Sequence, residues 1–370
     1  MHTTPSGEAR PLVVNLVSET VQGSKGHGVH TAFLQTLTAL ERAGVDVRVN
    51  AGVGSDIVHI ETMGLRSLKL LLSTRERAVV TAHVVPESLV GSFMLAPLWL
   101  PLGAAYMRAF YSLADEVLAV SPEVVDGLER LRLNVPVRFV PNAIDVERFR
   151  PQPGWREEVR AELGIAEGAF VVICAGQVQP RKGVQQFIEA ARRMPDATFV
   201  WAGGMPFKRL TAHYGEMMRA VAGAPANCLF VGALPYEEMP RHYAAADCLF
   251  FPSSQETFGL AIVEAAAAGL PLVLRDISTY RPLFGDAYLA GDDDTFVERL
   301  TALRDDPVLR AFYAKRASDL ASRFDTARHA ELLLDAYDAV LARAESERGS
   351  AARRVRPALQ WAFSERPHRR

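Results

Sequence analysis

The 370-residue sequence has few of the features that mark several other classes of protein. Its three cysteines, Cys174, Cys228 and Cys248, all lie in or beside predicted strands. An odd number of cysteines in apolar strands indicates buried, reduced thiols in the cytosol, and argues against disulfides or a metal site. The sequence has no Walker loop, no nucleophile elbow and no metal-ligand spacing. Its net charge of −2 gives no support for a protein that binds nucleic acid.

Long apolar segments are also scarce, with one exception. The first ten residues are polar and lack the apolar core of a signal peptide. Residues 88–107 carry no charge and are long enough to span a bilayer, but two prolines and two glycines interrupt them. We expect a helix after Pro101, with Leu102, Tyr106, Ala109 or Phe110, and Leu113 on one face. This segment is either a buried helix of the first domain or an amphipathic segment that lies on a membrane.

The rest of the chain alternates apolar strands with helical segments, which is typical of the α/β fold class. A linker rich in proline and glycine, at residues 149–154, separates two such alternations, and each half is long enough to bury its own core. We therefore predict a first domain at residues 1–150 and a second at 151–345. The tail at 346–370 has seven arginines against two glutamates, and is either a solvated end or an electrostatic tether for anionic lipid.

One segment of the second half carries two candidate functional residues. Glu256 follows an apolar strand (248–251) and a polar turn, and a helix predicted from Thr257 places Glu264 about two turns inside it. The start of a helix offers unpaired N–H groups and a partial positive charge, which suit a phosphate. The two glutamates can accept hydrogen bonds from hydroxyl groups on either side. A ligand that presents a hydroxyl group, a phosphate and a further hydroxyl group in this order is a sugar nucleotide.

A second loop of this half carries two adjacent cations. Arg181 and Lys182 lie between a predicted strand (170–175) and a helix that begins at Val184. Two positive charges before a helix can hold a diphosphate, although charges at a helix start also occur as simple surface residues.

The first half offers two weaker candidates. Gly28 belongs to a glycine-rich loop between the first strand and the first helix, where backbone can approach a ligand closely. His83 falls at the carboxyl end of a strand, which is where ligands sit in open α/β sheets. A flexible surface turn and a structural histidine are the alternatives.

The segment from Glu256 to Glu264 resembles the E-x7-E signature of the retaining glycosyltransferases of family 4, which have the GT-B fold. The resemblance implies two Rossmann-like domains that face each other across a cleft, and a nucleotide-sugar donor. It places Glu264 at the ribose, Glu256 and His83 at the transferred sugar and Lys182 at the diphosphate, with no metal cofactor required. The predicted catalytic residues are Glu256, Lys182 and His83. The predicted donor-binding residues are Gly28, Arg181, Lys182, Phe258, Gly259, Leu260 and Glu264.

A narrower resemblance, to bacterial diacylglycerol and glucosyl-diacylglycerol glycosyltransferases, rests on residues 18–19, 25–28, 82–88, 176–183 and 280–282. It implies transfer of glucose or galactose from a UDP-hexose to a membrane lipid such as diacylglycerol or monoglycosyl-diacylglycerol. The enzyme would then be cytoplasmic and bind the inner face of the cell membrane peripherally, through its first domain and, as a second contact with anionic lipid, its basic tail.

The sequence departs from the family at Gln177, where an arginine is usual. Either Arg181 replaces the missing charge or the one cation of Lys182 suffices. Three alternatives to a lipid transferase stay open: a family 4 transferase with a soluble acceptor, a sugar-nucleotide epimerase, and a non-catalytic partner protein with the GT-B fold. The choice of hexose, the acceptor, the linkage and the oligomeric state are also open.

Overall fold

The computed structural model of the chain describes residues 2–3, 9–22, 28–52, 54–86, 96–205 and 214–349. Its framework is two six-stranded parallel sheets, one in each half of the chain, with helices packed around them. The predicted α/β class with two Rossmann-like units is confirmed.

The first sheet is built from the first half of the chain. Its strands are β1 (Val13–Val17), β2 (Asp46–Val49), β3 (Ile57–Ile60), β4 (Arg77–Ala82), β5 (Glu116–Ala119) and β6 (Val137–Phe139). Their order across the sheet is β2-β1-β3-β4-β5-β6, so the direction of winding reverses between β1 and β3. The central strands are buried throughout, because helices cover both faces of a parallel sheet.

The second sheet has the nucleotide-binding order β9-β8-β7-β10-β11-β12. Its strands are β7 (Phe170–Ala175), β8 (Ala197–Ala202), β9 (Cys228–Gly232), β10 (Cys248–Phe251), β11 (Leu272–Arg275) and β12 (Leu289–Gly291). The winding reverses between β7 and β10, and a crevice forms outside the carboxyl ends of strands at such a point. The loops that carry the predicted diphosphate and sugar residues follow these two strands.

Helices connect the strands of both sheets. Those of the first half are α1 (Gly28–Arg42), α2 (Leu65–Ser73), α3 (Ala96–Tyr111), α4 (Pro122–Arg130) and α5 (Val146–Phe149). Those of the second half are α6 (Trp155–Glu162), α7 (Val184–Arg193), α8 (Tyr214–Ala222), α9 (Met239–Ala245), α10 (Leu260–Ala267), α11 (Tyr280–Phe284), α12 (Phe296–Asp305), α13 (Pro307–Ala321) and α14 (Thr326–Gly349).

Helix α3 differs from the prediction at its start and in its faces. It begins at Ala96 and contains Pro101, whose missing N–H removes one bond from the first turns without ending the helix. Phe110 is buried whereas Leu102 and Tyr106 are exposed, so these three residues do not share one environment. Among the described residues, no helix is both long and apolar enough to cross a membrane.

The last helix returns to the first half of the chain. Leu333, Ala336, Tyr337 and Val340 of α14 pack in one core cluster with the first sheet and with Leu40 of α1. The predicted boundaries at residues 150, 151 and 345 stay a prediction, but by packing α14 is associated with the first domain. Residues 350–370 of the predicted tail lie outside the described residues.

The chain crosses between the two halves at two adjacent points. Ile144 lies shortly before the linker at residues 149–154. It forms a parallel bridge with Asp325, where the Ile144 N–H donates to the Phe324 carbonyl at 2.9 Å and the Thr326 N–H donates to the Ile144 carbonyl at 3.1 Å. The two crossing segments therefore run side by side.

The packing of α14 makes a prediction about stability. Leu333→Ala removes a fully buried side chain and should lower the free energy of unfolding by about 2–5 kcal/mol, measured by urea denaturation. Val308→Ala, at an exposed position on α13, is the control and should change it by less than about 0.5 kcal/mol. Similar effects from both substitutions would contradict the docking of α14 on the first sheet.

Candidate active site

Lys182 lies in the loop after β7, at the end of a short 3-10 turn, Pro180–Lys182. Gly183 follows with φ +76°, and a Cβ there would approach the Pro252 carbonyl oxygen to 2.6 Å, so only glycine allows the two loops this close. The Lys182 ammonium contacts the Glu256 carboxylate and lies 5.3 Å from the centre of the Phe251 ring. Burial lowers the pKa of Lys182, and the charge of Glu256 opposes part of that shift.

Glu256 lies in the loop after β10 and is held by several donors. Besides Lys182, the Ser253 hydroxyl donates to its Oε1 at 2.7 Å, and the Thr279 hydroxyl lies 3.0 Å from its backbone carbonyl. Burial would raise the pKa of Glu256, but the charges of Lys182 and Arg181 hold it below its usual value. Glu256 is therefore an ionised, hydrogen-bonded carboxylate that faces a cation.

Arg181 is fixed by the same two loops. Its backbone carbonyl accepts from the Ser254 N–H at 2.8 Å, and its guanidinium donates to the Gln255 carbonyl and to the Gln179 side chain, both at 3.1 Å. Gln179 in turn donates to Gln177 at 2.8 Å. Gln177, which replaces the usual arginine, is thus connected through Gln179 to Arg181, and that connection orients the neighbouring cation.

The helix that carries the second glutamate starts later than predicted. Helix α10 begins at Leu260, not at Thr257, because Gly259 takes the left-handed conformation with φ +93° and interrupts the helical backbone. Glu264 consequently lies just over one turn inside the helix. Phe258 is buried against Phe324, so its side chain belongs to the core. Only the backbone at this helix start is available to an anion.

Glu264 has an environment opposite to that of Glu256. Its Oε2 accepts a hydrogen bond from the Tyr243 hydroxyl at 2.9 Å, and the residue is buried. Burial raises its pKa to about 7, although the bond from Tyr243 and the charge of Arg148 work in the other direction. Near neutral pH, Glu264 is therefore divided between its acidic and ionised forms.

His83 follows β4 and contacts a carboxylate from the neighbouring strand. Its Nε2 lies 2.6 Å from Oε2 of Glu61, the residue directly after β3. Burial would raise the pKa of Glu61, but the hydrogen bond with His83, together with electrostatic interactions with the neighbouring imidazoles, lowers it to about 2. Gly28 is exposed at the start of α1, and the loop before it, residues 23–27, lies outside the described residues.

A contact between the two halves reaches this site. Glu123 of α4, in the first half, contacts the hydroxyl of Thr279, which precedes α11 in the second half. The same hydroxyl lies against the backbone carbonyl of Glu256. The position of the first domain is thereby connected to the loop that holds Glu256.

The structure brings Lys182, Arg181 and Glu256 together, whereas Glu264 lies just over one turn inside α10 and contacts Tyr243. His83 and Gly28 belong to the first half of the chain, and no hydrogen bond or ion pair joins either of them to these four within the part of the chain that the structure describes. Sequence reasoning missed several supporting residues: Glu61, Gln179, Tyr243, Ser253 and Thr279. Glu61 follows a buried strand just as His83 does, and that signal could have found it. The roles assigned to the candidate residues stay predictions.

Two family models match the chain, one on each half. The model described as Glycosyltransferase Family 4 matches residues 3–148, and the model described as Glycosyl transferases group 1 matches residues 156–319. The chain belongs to these glycosyltransferases. The enzyme is a hexosyltransferase, in agreement with the E-x7-E resemblance on which the prediction rested.

Curated relatives extend over most of the enzyme. The alpha-galactosylglucosyldiacylglycerol synthase of Streptococcus pneumoniae is 29% identical over 346 residues, which cover 90% of each chain. The processive diacylglycerol alpha-glucosyltransferase of Acholeplasma laidlawii is 27% identical over 270 residues, which cover 73% of this chain and 80% of the relative.

Solved structures support the fold. Sucrose-phosphate synthase of Thermosynechococcus elongatus matches with a TM-score of 0.74 at 17% identity, covering 90% of this chain and 99% of that chain. HepE of Anabaena, in complex with UDP-glucose, matches with a TM-score of 0.70 at 19% identity, covering 89% of this chain and 100% of that chain. The GT-B fold of the glycosyltransferase is thereby confirmed.

The raised pKa of Glu264 predicts how the free energy of unfolding depends on pH. A carboxyl whose pKa is higher in the folded state than in the unfolded state stabilises the fold below its unfolded pKa, and this stability is lost as the pH rises through the folded value, here about 7. Glu264→Gln keeps an acceptor for Tyr243 and cannot ionise. From pH 5 to pH 8, the free energy of unfolding of the variant should therefore increase relative to the wild type by on the order of 2 kcal/mol.

The measurement is urea denaturation of both proteins at the two pH values. Ser253→Ala, which leaves Glu264 and Tyr243 in place, serves as the control and should show no comparable relative increase. A constant difference between wild type and Glu264→Gln across this range would contradict the buried, protonated state of Glu264.

Proposed function

We propose that this glycosyltransferase moves glucose or galactose from a UDP-sugar to a membrane lipid of the diacylglycerol type, with retention at the anomeric carbon. The observation that carries the proposal is the contact between Lys182 and Glu256 at the point where the second sheet reverses its winding. It combines a cation for a diphosphate and an acceptor for sugar hydroxyls within one crevice, next to a helix start.

The charges suit the breaking of a sugar–phosphate bond. The bond between the anomeric carbon and the β-phosphate oxygen breaks with its electron pair on the leaving UDP, and positive charge builds on the sugar. Lys182 and the start of α10 stabilise the UDP, and Arg181 adds a second cation. The acceptor oxygen bonds the anomeric carbon from the same face, and its proton passes to an oxygen of the leaving diphosphate. No metal ion takes part in this proposal.

Glu256 and Glu264 hold the two ends of the donor in this mechanism. Glu256 stays ionised and accepts hydrogen bonds from hydroxyls of the hexose, while Glu264 accepts from the ribose. His83, from the first sheet, approaches the hexose when the two domains close and exclude water that would hydrolyse the donor.

The names of the relatives support both the donor chemistry and the acceptor. Both curated relatives are named for alpha-linked sugars on diacylglycerol lipids. UDP-glucose itself carries an α-linked sugar, so an alpha product requires retention. HepE, which shares the fold, holds UDP-glucose in its crystal structure.

An exposed apolar face on the first domain supports contact with a membrane. Leu65 on α2 is 82% exposed and Leu102 on α3 is 65% exposed. The Tyr106 hydroxyl of α3 donates to the Met63 carbonyl just before α2 at 3.0 Å, so the two helices adjoin. Three basic side chains of the same two helices are also exposed; they are Arg66, Lys69 and Arg108. Exposed apolar and cationic side chains on the same helices suit the surface of an anionic membrane.

The function is tested by release of UDP. Purified enzyme is given UDP-glucose or UDP-galactose, with liposomes that contain diacylglycerol, monoglucosyl-diacylglycerol or neither. We expect UDP release that depends on one of these lipids, together with a new glycolipid in the lipid extract. Binding of UDP without release under any lipid condition would overturn the lipid acceptor and favour a transferase with a soluble acceptor, an epimerase or a non-catalytic protein.

Lys182→Ala is the matched test of the site in the same assay. It removes the charge that acts on the leaving group, so turnover should fall by on the order of 100-fold or more. Lys315→Ala, at an exposed position on α13, should leave turnover unchanged. Normal turnover in Lys182→Ala would refute the role of Lys182.

The membrane face has a separate test by vesicle flotation. The double variant Leu65→Gln, Leu102→Gln should lose on the order of tenfold or more in its binding to anionic phospholipid vesicles, because two apolar side chains no longer enter the membrane. Phe312→Gln, at a position 52% exposed on α13 of the second half, is the control and should bind like the wild type. An equal loss in both proteins, or in neither, would exclude this face.

A further inference from the structure

A buried polar cluster lies at the carboxyl edge of the first sheet, beneath α14. Its members are His59, Glu61, Thr81, His83, His329 and Tyr337. They come from β3, β4, α14 and the residues that follow the two strands. None of them is part of the donor crevice of the second sheet, and burial of so many polar groups at a ligand-binding edge calls for a functional explanation.

Two histidines of the cluster, His59 and His329, do not pair with Glu61 as cations. His59 uses both ring nitrogens, with Nδ1 at 2.6 Å from the Tyr337 hydroxyl and Nε2 at 2.7 Å from the Thr81 hydroxyl. Burial lowers the pKa of His59, and it lowers that of His329 to about 4. Both rings are therefore neutral near pH 7.

His83 is the direct partner of the Glu61 carboxylate. The distance of 2.6 Å between His83 Nε2 and Glu61 Oε2 is that of a charge-assisted hydrogen bond. The pKa of Glu61 lies at about 2, so the carboxylate is ionised and the proton of the hydrogen bond resides on Nε2. In this tautomer the other ring nitrogen of His83, Nδ1, is a hydrogen-bond acceptor.

The second oxygen of Glu61 is harder to explain by stability alone. Glu61 is 2% exposed, and its Oε1 is buried without a hydrogen-bond partner among the described residues; His59 Nε2 lies 3.6 Å away. Burial of a carboxylate with one unsatisfied oxygen is costly, and an apolar residue of similar size would avoid that cost. This cost is explained if the Glu61 carboxylate orients the ring of His83.

We propose that Glu61 is a positioning residue for His83, holding the ring through its Nε2–H so that Nδ1 faces the sugar being transferred. This inference rests on the proposed function, because it takes His83 to lie beside the hexose in the closed enzyme. A ring fixed in this tautomer accepts a hydrogen bond from a sugar hydroxyl at Nδ1. The negative charge of Glu61 acts through the ring, because it holds the Nε2–H and so makes Nδ1 a stronger acceptor.

The kinetic test is a double-mutant cycle in the lipid-dependent UDP-release assay. Glu61→Gln keeps the volume and an acceptor oxygen but removes the charge, and should lower kcat by on the order of tenfold with little change in KM for the donor. His83→Ala should lower kcat by at least as much. In the His83→Ala background, Glu61→Gln should cause no further loss, because Glu61 acts only through His83.

Glu116→Gln is the matched control. Glu116 is 1% exposed at the opposite end of the neighbouring strand β5, where it pairs with Arg138 and Arg343. It should affect stability without changing kcat in either background. Multiplicative losses for Glu61→Gln and His83→Ala, or a loss from Glu116→Gln equal to that from Glu61→Gln, would overturn the proposal and indicate a purely structural carboxylate.

A measurement without turnover separates this inference from the proposed function. The ¹⁵N shifts of the His83 ring should report a single Nε2–H tautomer in the wild type and a mixture in Glu61→Ala. An enzyme that releases no UDP would overturn the proposed function, while the tautomer still decides whether Glu61 fixes the ring. The same tautomer in both proteins would overturn the positioning role even in an active enzyme.

Discussion

Lys182 and Glu256 each carry a charge into an almost closed part of the second domain, and removal of either would leave the other buried and unpaired. Such a loss costs about 3–5 kcal/mol, so the loops after β7 and β10 are strongly constrained to stay together. Gly183 permits their close approach, and Ser253 supplies an additional donor to the carboxylate. A diphosphate that enters the crevice would meet this cation already positioned, which reduces the reorganisation needed during reaction.

The two glutamates of the E-x7-E motif differ in protonation state because their neighbouring residues differ, although both are buried. Both are buried, and burial raises the pKa of each. Glu256 faces Lys182 and remains ionised, whereas Glu264 has a hydroxyl partner, Tyr243, and a pKa of about 7. A neutral hydroxyl donor can therefore replace or supplement Tyr243 at Glu264, whereas a hydroxyl donor at Glu256 adds to an existing ion pair.

Strand positions and the order of loops were predictable because apolar runs and turn residues are local signals. β7 and β10 begin and end where the sequence predicts. The start of α10 was missed because the left-handed conformation of Gly259 depends on packing around it. The return of α14 to the first sheet and the contact of Glu61 with His83 were also missed. Both join residues far apart in the chain, and a single sequence carries no signal of such distances.

The adjacent crossings at Ile144 and Asp325 give the two domains a common point about which they can rotate, because few backbone angles need to change there. The contact between Glu123 and Thr279 lies away from those crossings, on the side of the Glu256 loop. Rotation that separates the domains must therefore break it and leave Thr279 with the Glu256 carbonyl as its remaining partner. Domain position and the geometry of the Glu256 loop are thus coupled through one hydroxyl group. The first domain can in this way influence the candidate site of the second domain.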